Sequence, residues 1–142
     1  MRTLLAILLF VGVGAIALLH LCWGDGSTWP EADEQALVRA VVGNGRRRMP
    51  SPAACYGVAF LLTLVAVWPL YVLGHGGEWL TLLGTLGIAG VFVGRGLAGY
   101  SPPWRRHFAD EPFATRDRRY YSPLCLLLGA AYIALVFGEM KL

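Results

Sequence analysis

TLLAILLFVGVGAIALLHLCW, from Thr3 to Trp23, is 21 residues long and contains no charged side chain. Crossing the hydrocarbon core of a bilayer takes about 20 apolar residues in a helix, so this stretch has the length and composition of a membrane span. Arg2 in front of it gives it the look of a secretory signal. A signal core runs to only about 7–15 apolar residues, however, and no Ala-x-Ala cleavage site follows, so the stretch is read as a retained span. Three more such stretches follow, at about 53–74, 79–100 and 122–138, the last being the shortest. The expected fold is an all-α bundle of four transmembrane helices, forming one integral membrane domain over residues 1–142.

The whole-chain composition agrees. Hydrophobic residues make up 56%, charged residues 15%, and the mean hydropathy is +0.56. A soluble core of this size has no room to hide that much apolar surface, whereas lipid accepts it. The formal charge is only +3, and the arginines lie beside spans rather than along a soluble face, which excludes nucleic acid as a partner. Cys22, Cys55 and Cys125 are odd in number and lack Cys-x-x-Cys spacing. That pattern offers neither a disulfide framework nor a metal site, and no cofactor motif is present.

The three connections differ sharply. Residues 24–52 are long enough to hold structure of their own. Thr28 with Glu31 reads as a capping box with Pro30 in the first turn, acidic Glu31, Asp33 and Glu34 follow, and Gly43-Asn44-Gly45 closes the segment. A short amphipathic helix is expected there, lying on the membrane surface or packed on the bundle. His75-Gly76-Gly77-Glu78 is a tight turn, whereas Ser101–Tyr121 is long and polar. The two long connections carry Arg39, Arg46, Arg47, Arg48, Arg105, Arg106, Arg116, Arg118 and Arg119, against Arg2 and Lys141 on the other side. Cytoplasmic loops carry the excess of Lys and Arg, so both long connections are expected in the cytoplasm and both termini outside. Arg46, Arg47, Arg48, Arg105, Arg106, Arg118 and Arg119 are then the expected contacts to lipid headgroups.

Within the spans a few residues stand out. Gly87, Gly90, Gly94 and Ala98 recur every three or four positions. Such small-residue stripes let helices approach closely in lipid, either inside the bundle or at a homodimer or partner-subunit seam. Arg95 is a charge inside the third span, expected either to snorkel to the interface or to pair in a polar pocket. His20, Trp23 and Asp25 cluster at the same end of the first span, and Glu78, His75 and Glu139 mark the opposite surface. A pocket lined by His20, Trp23, Asp25, Arg95, Asp117 and Tyr121, lidded by the third connection, is the candidate site. A docked interfacial loop is the alternative for that connection.

The third connection leads into the last span as Phe113-Ala114-Thr115-Arg116-Asp117-Arg118-Arg119-Tyr120-Tyr121-Ser122-Pro123-Leu124-Cys125, and the first span ends His20-Leu21-Cys22-Trp23-Gly24. In these two segments the chain resembles a family of small bacterial four-helix membrane proteins of unknown function. The resemblance implies the architecture and a bacterial inner-membrane location, and brings no activity, cofactor or catalytic residue. The sequence has no P-loop, Gly-x-Ser-x-Gly elbow or His-Glu-x-x-His. The expected function is non-catalytic binding of lipid or a partner through the basic face. A membrane enzyme or binder of a lipid-like or anionic molecule, and a small transporter, are the alternatives.

Overall fold

A computed structural model describes residues 1–137. Gly138, the expected end of the last span, and Glu139 and Lys141 lie outside the described residues. All regular elements among the described residues are helical: α1 (Arg2–Gly24), α2 (Glu34–Val41), α3 (Pro52–Gly74), α4 (Trp79–Ala98), α5 (Pro102–His107), α6 (Phe113–Arg116), a π-helical turn (Asp117–Tyr121) and α7 (Ser122–Phe137). Among the described residues four helices are long and apolar enough to cross a membrane: α1, α3, α4 and the continuous run Phe113–Phe137. That last run has 25 residues and is the longest of the four, not the shortest. Its charged first turns hide it in the sequence; the pairings that make them tolerable are described below.

α1 lies along α3 and α4 along α7, forming two hairpins that meet through α1–α7 and α3–α4 contacts. Ala6, Leu9, Val13 and Ala17 form the buried stripe of α1, and Thr81, Thr85, Ala89 and Gly96 that of α4. Their spacing of three, four or seven residues keeps each set on one helix face. The other faces present Leu8, Val11, Phe60, Leu61, Leu64, Leu83, Val91 and Leu127 to the outside. An exterior this apolar belongs in lipid, and the protein is an integral membrane protein.

One cross-link between the hairpins follows from a single residue type. Pro69 lies inside α3 and has no N–H, so the Val65 carbonyl four residues earlier loses its helical donor. The fully buried Tyr132 of α7 donates its hydroxyl to that carbonyl at 2.7 Å. The Tyr132 ring stacks on Phe92 of α4 with centroids 5.8 Å apart. Tyr132→Phe is therefore expected to cost about 1 kcal/mol in thermal unfolding. In a Pro69→Ala background, where the helix supplies its own donor, the same change is expected to cost little. Equal losses in both backgrounds would show that the carbonyl is not what Tyr132 serves. At the short-turn end, Trp68 of α3 donates to Thr85 Oγ1 of α4 at 2.9 Å. Thr85 in turn donates to the Thr81 carbonyl at 2.7 Å.

Two expectations are corrected. α2 is present but does not begin at a Thr28 capping box. Its cap is Asp33, whose carboxylate accepts from the Ala36 N–H at 2.8 Å. The Glu31 N–H closes a turn on the Thr28 carbonyl at 2.9 Å. The Glu31 side chain is committed to Arg116 of the third connection and is not free to close a box. The apolar side of α2 (Leu37, Val38 and Ala40) is buried in the protein, so this helix packs on the bundle and does not lay that side into lipid.

The reading of the small-residue stripe as a seam inside the bundle is the second. A Cβ added at Gly87, Gly90 or Gly94 would meet nothing within 4 Å, and all three are exposed, with Ala98 half-buried beside them. The close approach within the bundle is made by Gly96 against Leu126, and by Gly129 against Val93 and the Ala89 carbonyl. Periodicity marks a face of α4 and does not say which face meets α7. Gly90→Ala is expected to stabilise the isolated chain by up to about 1 kcal/mol through helix propensity alone. A fall in stability or in oligomer mass would instead reveal a helix seated on that stripe.

Candidate functional site

Arg95 lies in the last turn of α4 and points at the start of the last span. Its Nη2 donates to Asp117 Oδ1 at 2.6 Å, and its Nη1 lies 3.4 Å from Ser122 Oγ. The indole N–H of Trp104, on α5, donates to the other Asp117 oxygen at 3.0 Å, and the guanidinium lies 4.3 Å from the Trp104 ring centroid. Ser122 Oγ donates to Asp117 Oδ1 at 3.3 Å. The Asp117 side chain is 3% exposed and that of Arg95 29%, so the carboxylate is enclosed and the arginine reaches it from the rim.

The backbone explains why these groups meet. Ser122 N–H bonds to the Asp117 carbonyl, five residues back, which makes the intervening turn π-helical. In an α-helix residues five apart diverge around the axis. The wider turn brings Asp117 and Ser122 to one side, facing α4. Gly99 completes the fit, because a side chain there would overlap Ser122 and crowd Asp117 Oδ2. Arg95 is thus neither turned to the headgroups nor free in a pocket; it is neutralised where it stands.

The same end of the molecule carries a cap in which the two long connections are docked together. The Gly45 N–H donates to Asp110 Oδ2 at 2.6 Å, and the Asp110 N–H to the Gly43 carbonyl at 3.2 Å. Arg116 pairs with Glu31, and the Tyr121 hydroxyl donates to the Ala40 carbonyl at 3.0 Å. Gly43 has φ +67°, and its missing side chain leaves the space that the Phe113 ring fills. Trp104, Phe108, Phe113 and Tyr121 form a run of ring contacts with centroids 4.3 to 5.8 Å apart.

The expected pocket is divided in three. Arg95 and Asp117 form the node just described, with Tyr121 in the cap beside it. Asp25 accepts from the Tyr56 hydroxyl at 2.6 Å. His20 packs on Trp23, ring centroids 5.0 Å apart, and the two border a separate cavity beneath the end of α2. Trp23 Nε1 donates to the Trp29 carbonyl at 2.8 Å. Cys55 is buried, Cys22 and Cys125 are half-buried, and all three are free. Among the described residues no three His, Cys, Asp or Glu side chains are grouped to hold a metal.

The sequence reading did not single out Trp104, Ser122, Glu31 and Arg116 as site residues. Asp117 was expected in the pocket with Arg95, but its partners Trp104 and Ser122 were not.

Charge at this end is sorted by sign. Asp25, Glu31, Asp33, Glu34, Asp110, Glu111 and Asp117 each accept a hydrogen bond from within the protein. Arg39, Arg46, Arg47, Arg48, Arg105, Arg106, Arg118 and Arg119 are exposed, and among the described residues none of them is in an ion pair. Arg119 lies over the Tyr120 ring at 5.5 Å.

The family model described as "Protein of unknown function (DUF3995)" matches residues 13–132. The chain belongs to this family. The DUF3995 match runs from the middle of α1 to Tyr132 and so takes in the node, the cap and the Tyr132 cross-link. Neither a curated protein nor a solved structure matches the chain. Membership in DUF3995 therefore brings no activity to this chain.

Proposed function

We propose that this protein is a non-catalytic membrane protein whose docked connections form a basic cap on the cytoplasmic face, binding anionic phospholipid headgroups. The single observation that carries the reading is the sorting of charge. The carboxylates at that end are used up inside the cap, while eight arginines project from it with no ion pair among the described residues. An arginine near an anionic leaflet contributes about 1 kcal/mol. The same eight residues favour the cytoplasmic side for both long connections. The neutralised Arg95–Asp117 node fits this reading better than an enzyme pocket, since it leaves no charge to receive a substrate.

The test compares thermal unfolding in phosphatidylcholine nanodiscs with that in nanodiscs containing phosphatidylglycerol. The wild type is expected to gain several degrees in the anionic discs, and the gain is expected to shrink with added salt. A chain carrying Gln at positions 46, 47, 48, 105 and 106 is expected to lose most of it. Equal midpoints for the wild type in both lipids would refute the proposal.

A further inference from the structure

The cavity beside His20 plays no part in the basic cap. It has a volume of about 260 Å³ and is bordered by the end of α1, the end of α2 and the start of α3, with His20, Trp23, Val41, Met49, Ala54 and Cys55 on its walls. No lining side chain is a carboxylate, a lysine or an arginine. The wall formed by Met49 is held in place by its N–H, which donates to Glu34 Oε1 at 3.0 Å. The space is partly open and sits where two spans meet the cap, which is the level of the bilayer interface.

Its polar atoms are nearly all committed. The Trp23 indole N–H donates to the Trp29 carbonyl, and the Cys55 thiol lies 3.9 Å from the Pro50 carbonyl. His20 Nδ1 lies 2.8 Å from the Ile16 carbonyl, which can only accept. Nδ1 therefore carries a proton, and in the uncharged form of the ring Nε2 presents a lone pair. Among the described residues that Nε2 has no partner, and it is the one lining side-chain nitrogen or oxygen in that position.

From this geometry we infer a binding site for an uncharged, hydroxyl-bearing amphiphile drawn from the bilayer, its O–H donating to His20 Nε2. The apolar walls reject a charged headgroup, which would be desolvated there with no counter-charge. The lone pair selects a donor over a plain hydrocarbon. The volume equals roughly nine waters in the liquid, enough for one end of such a molecule while the remainder stays in lipid. The ligand class is thus a membrane alcohol, distinct in charge from the lipids that the arginines engage.

The test uses purified full-length protein in phosphatidylcholine nanodiscs and a diazirine-bearing long-chain alcohol, alongside the matched diazirine alkane that lacks the hydroxyl. Dodecanol is the unlabelled competitor, and the crosslinked peptides are mapped by mass spectrometry. The alcohol is expected to label Trp23 and the Met49–Val58 segment saturably. His20→Leu is expected to weaken its apparent affinity about fivefold, the worth of one hydrogen bond, and to leave the alkane unchanged. Ala54→Phe fills the space and is expected to abolish saturable labelling by both probes without lowering the unfolding midpoint. Three results would each overturn the inference: labelling that dodecanol does not compete, labelling that survives Ala54→Phe in a folded protein, or equal affinity of alcohol and alkane for the wild type.

Discussion

Asp117→Ala is expected to lower stability by about 3 kcal/mol, the largest single loss predicted for this chain. The change removes the carboxylate paired with Arg95, strips Trp104 Nε1 of its acceptor, and leaves a cation at the edge of a membrane span. Breaking a buried pair by removing one partner typically costs about 3–5 kcal/mol. The lower end applies here because the Arg95 side chain is 29% exposed and retains some solvent screening. The double change Arg95→Met with Asp117→Leu is expected to recover most of the loss, since both charges leave together. Thermal unfolding in one detergent measures both variants. A double variant as unstable as the single one would mean that the node contributes through geometry and not through charge.

Gly99→Ala is expected to cost about 2–3 kcal/mol, within the range for overpacking a close contact. The added methyl would overlap Ser122 and approach Asp117 Oδ2 to 3.0 Å, so the π turn must move away from α4. It acts on the same node without altering any charge. Gly94→Ala, one helical turn and a residue earlier in α4, meets nothing within 4 Å and is the matched control. A Gly99 variant no less stable than its Gly94 control would contradict the close approach of α4 to the π turn.

The parts of the architecture that answer to solvent were legible in the sequence. The four apolar stretches, the tight turn at His75–Glu78 and a helix in the first long connection all follow from composition and punctuation. What was not legible depends on which surfaces meet. The charges at Arg116, Asp117, Arg118 and Arg119 disguised the first turns of the last span as loop. They are tolerated because Arg116 reaches Glu31, Asp117 reaches Arg95, and the remaining two face outward. The π turn has no sequence signature of its own, so the meeting of Asp117 with Ser122 depended on backbone geometry. Thr28 and Glu31 satisfied a local capping rule, and a partner 85 residues away took the glutamate instead. Pro69 gave a usable signal, a carbonyl in need of a donor, but only packing selects Tyr132 to supply it. Gly87, Gly90 and Gly94 drew a real stripe on the wrong side of the helix for packing against α7.

The central claim is that both long connections lie together as one basic cap on the cytoplasmic side. The most direct measurement is cysteine labelling of Arg47→Cys and Arg106→Cys, each in a background with Cys22, Cys55 and Cys125 replaced by serine. An impermeant maleimide is expected to leave both positions unlabelled in intact cells and to label both once the membrane is opened. Labelling of either position in intact cells would contradict the claim.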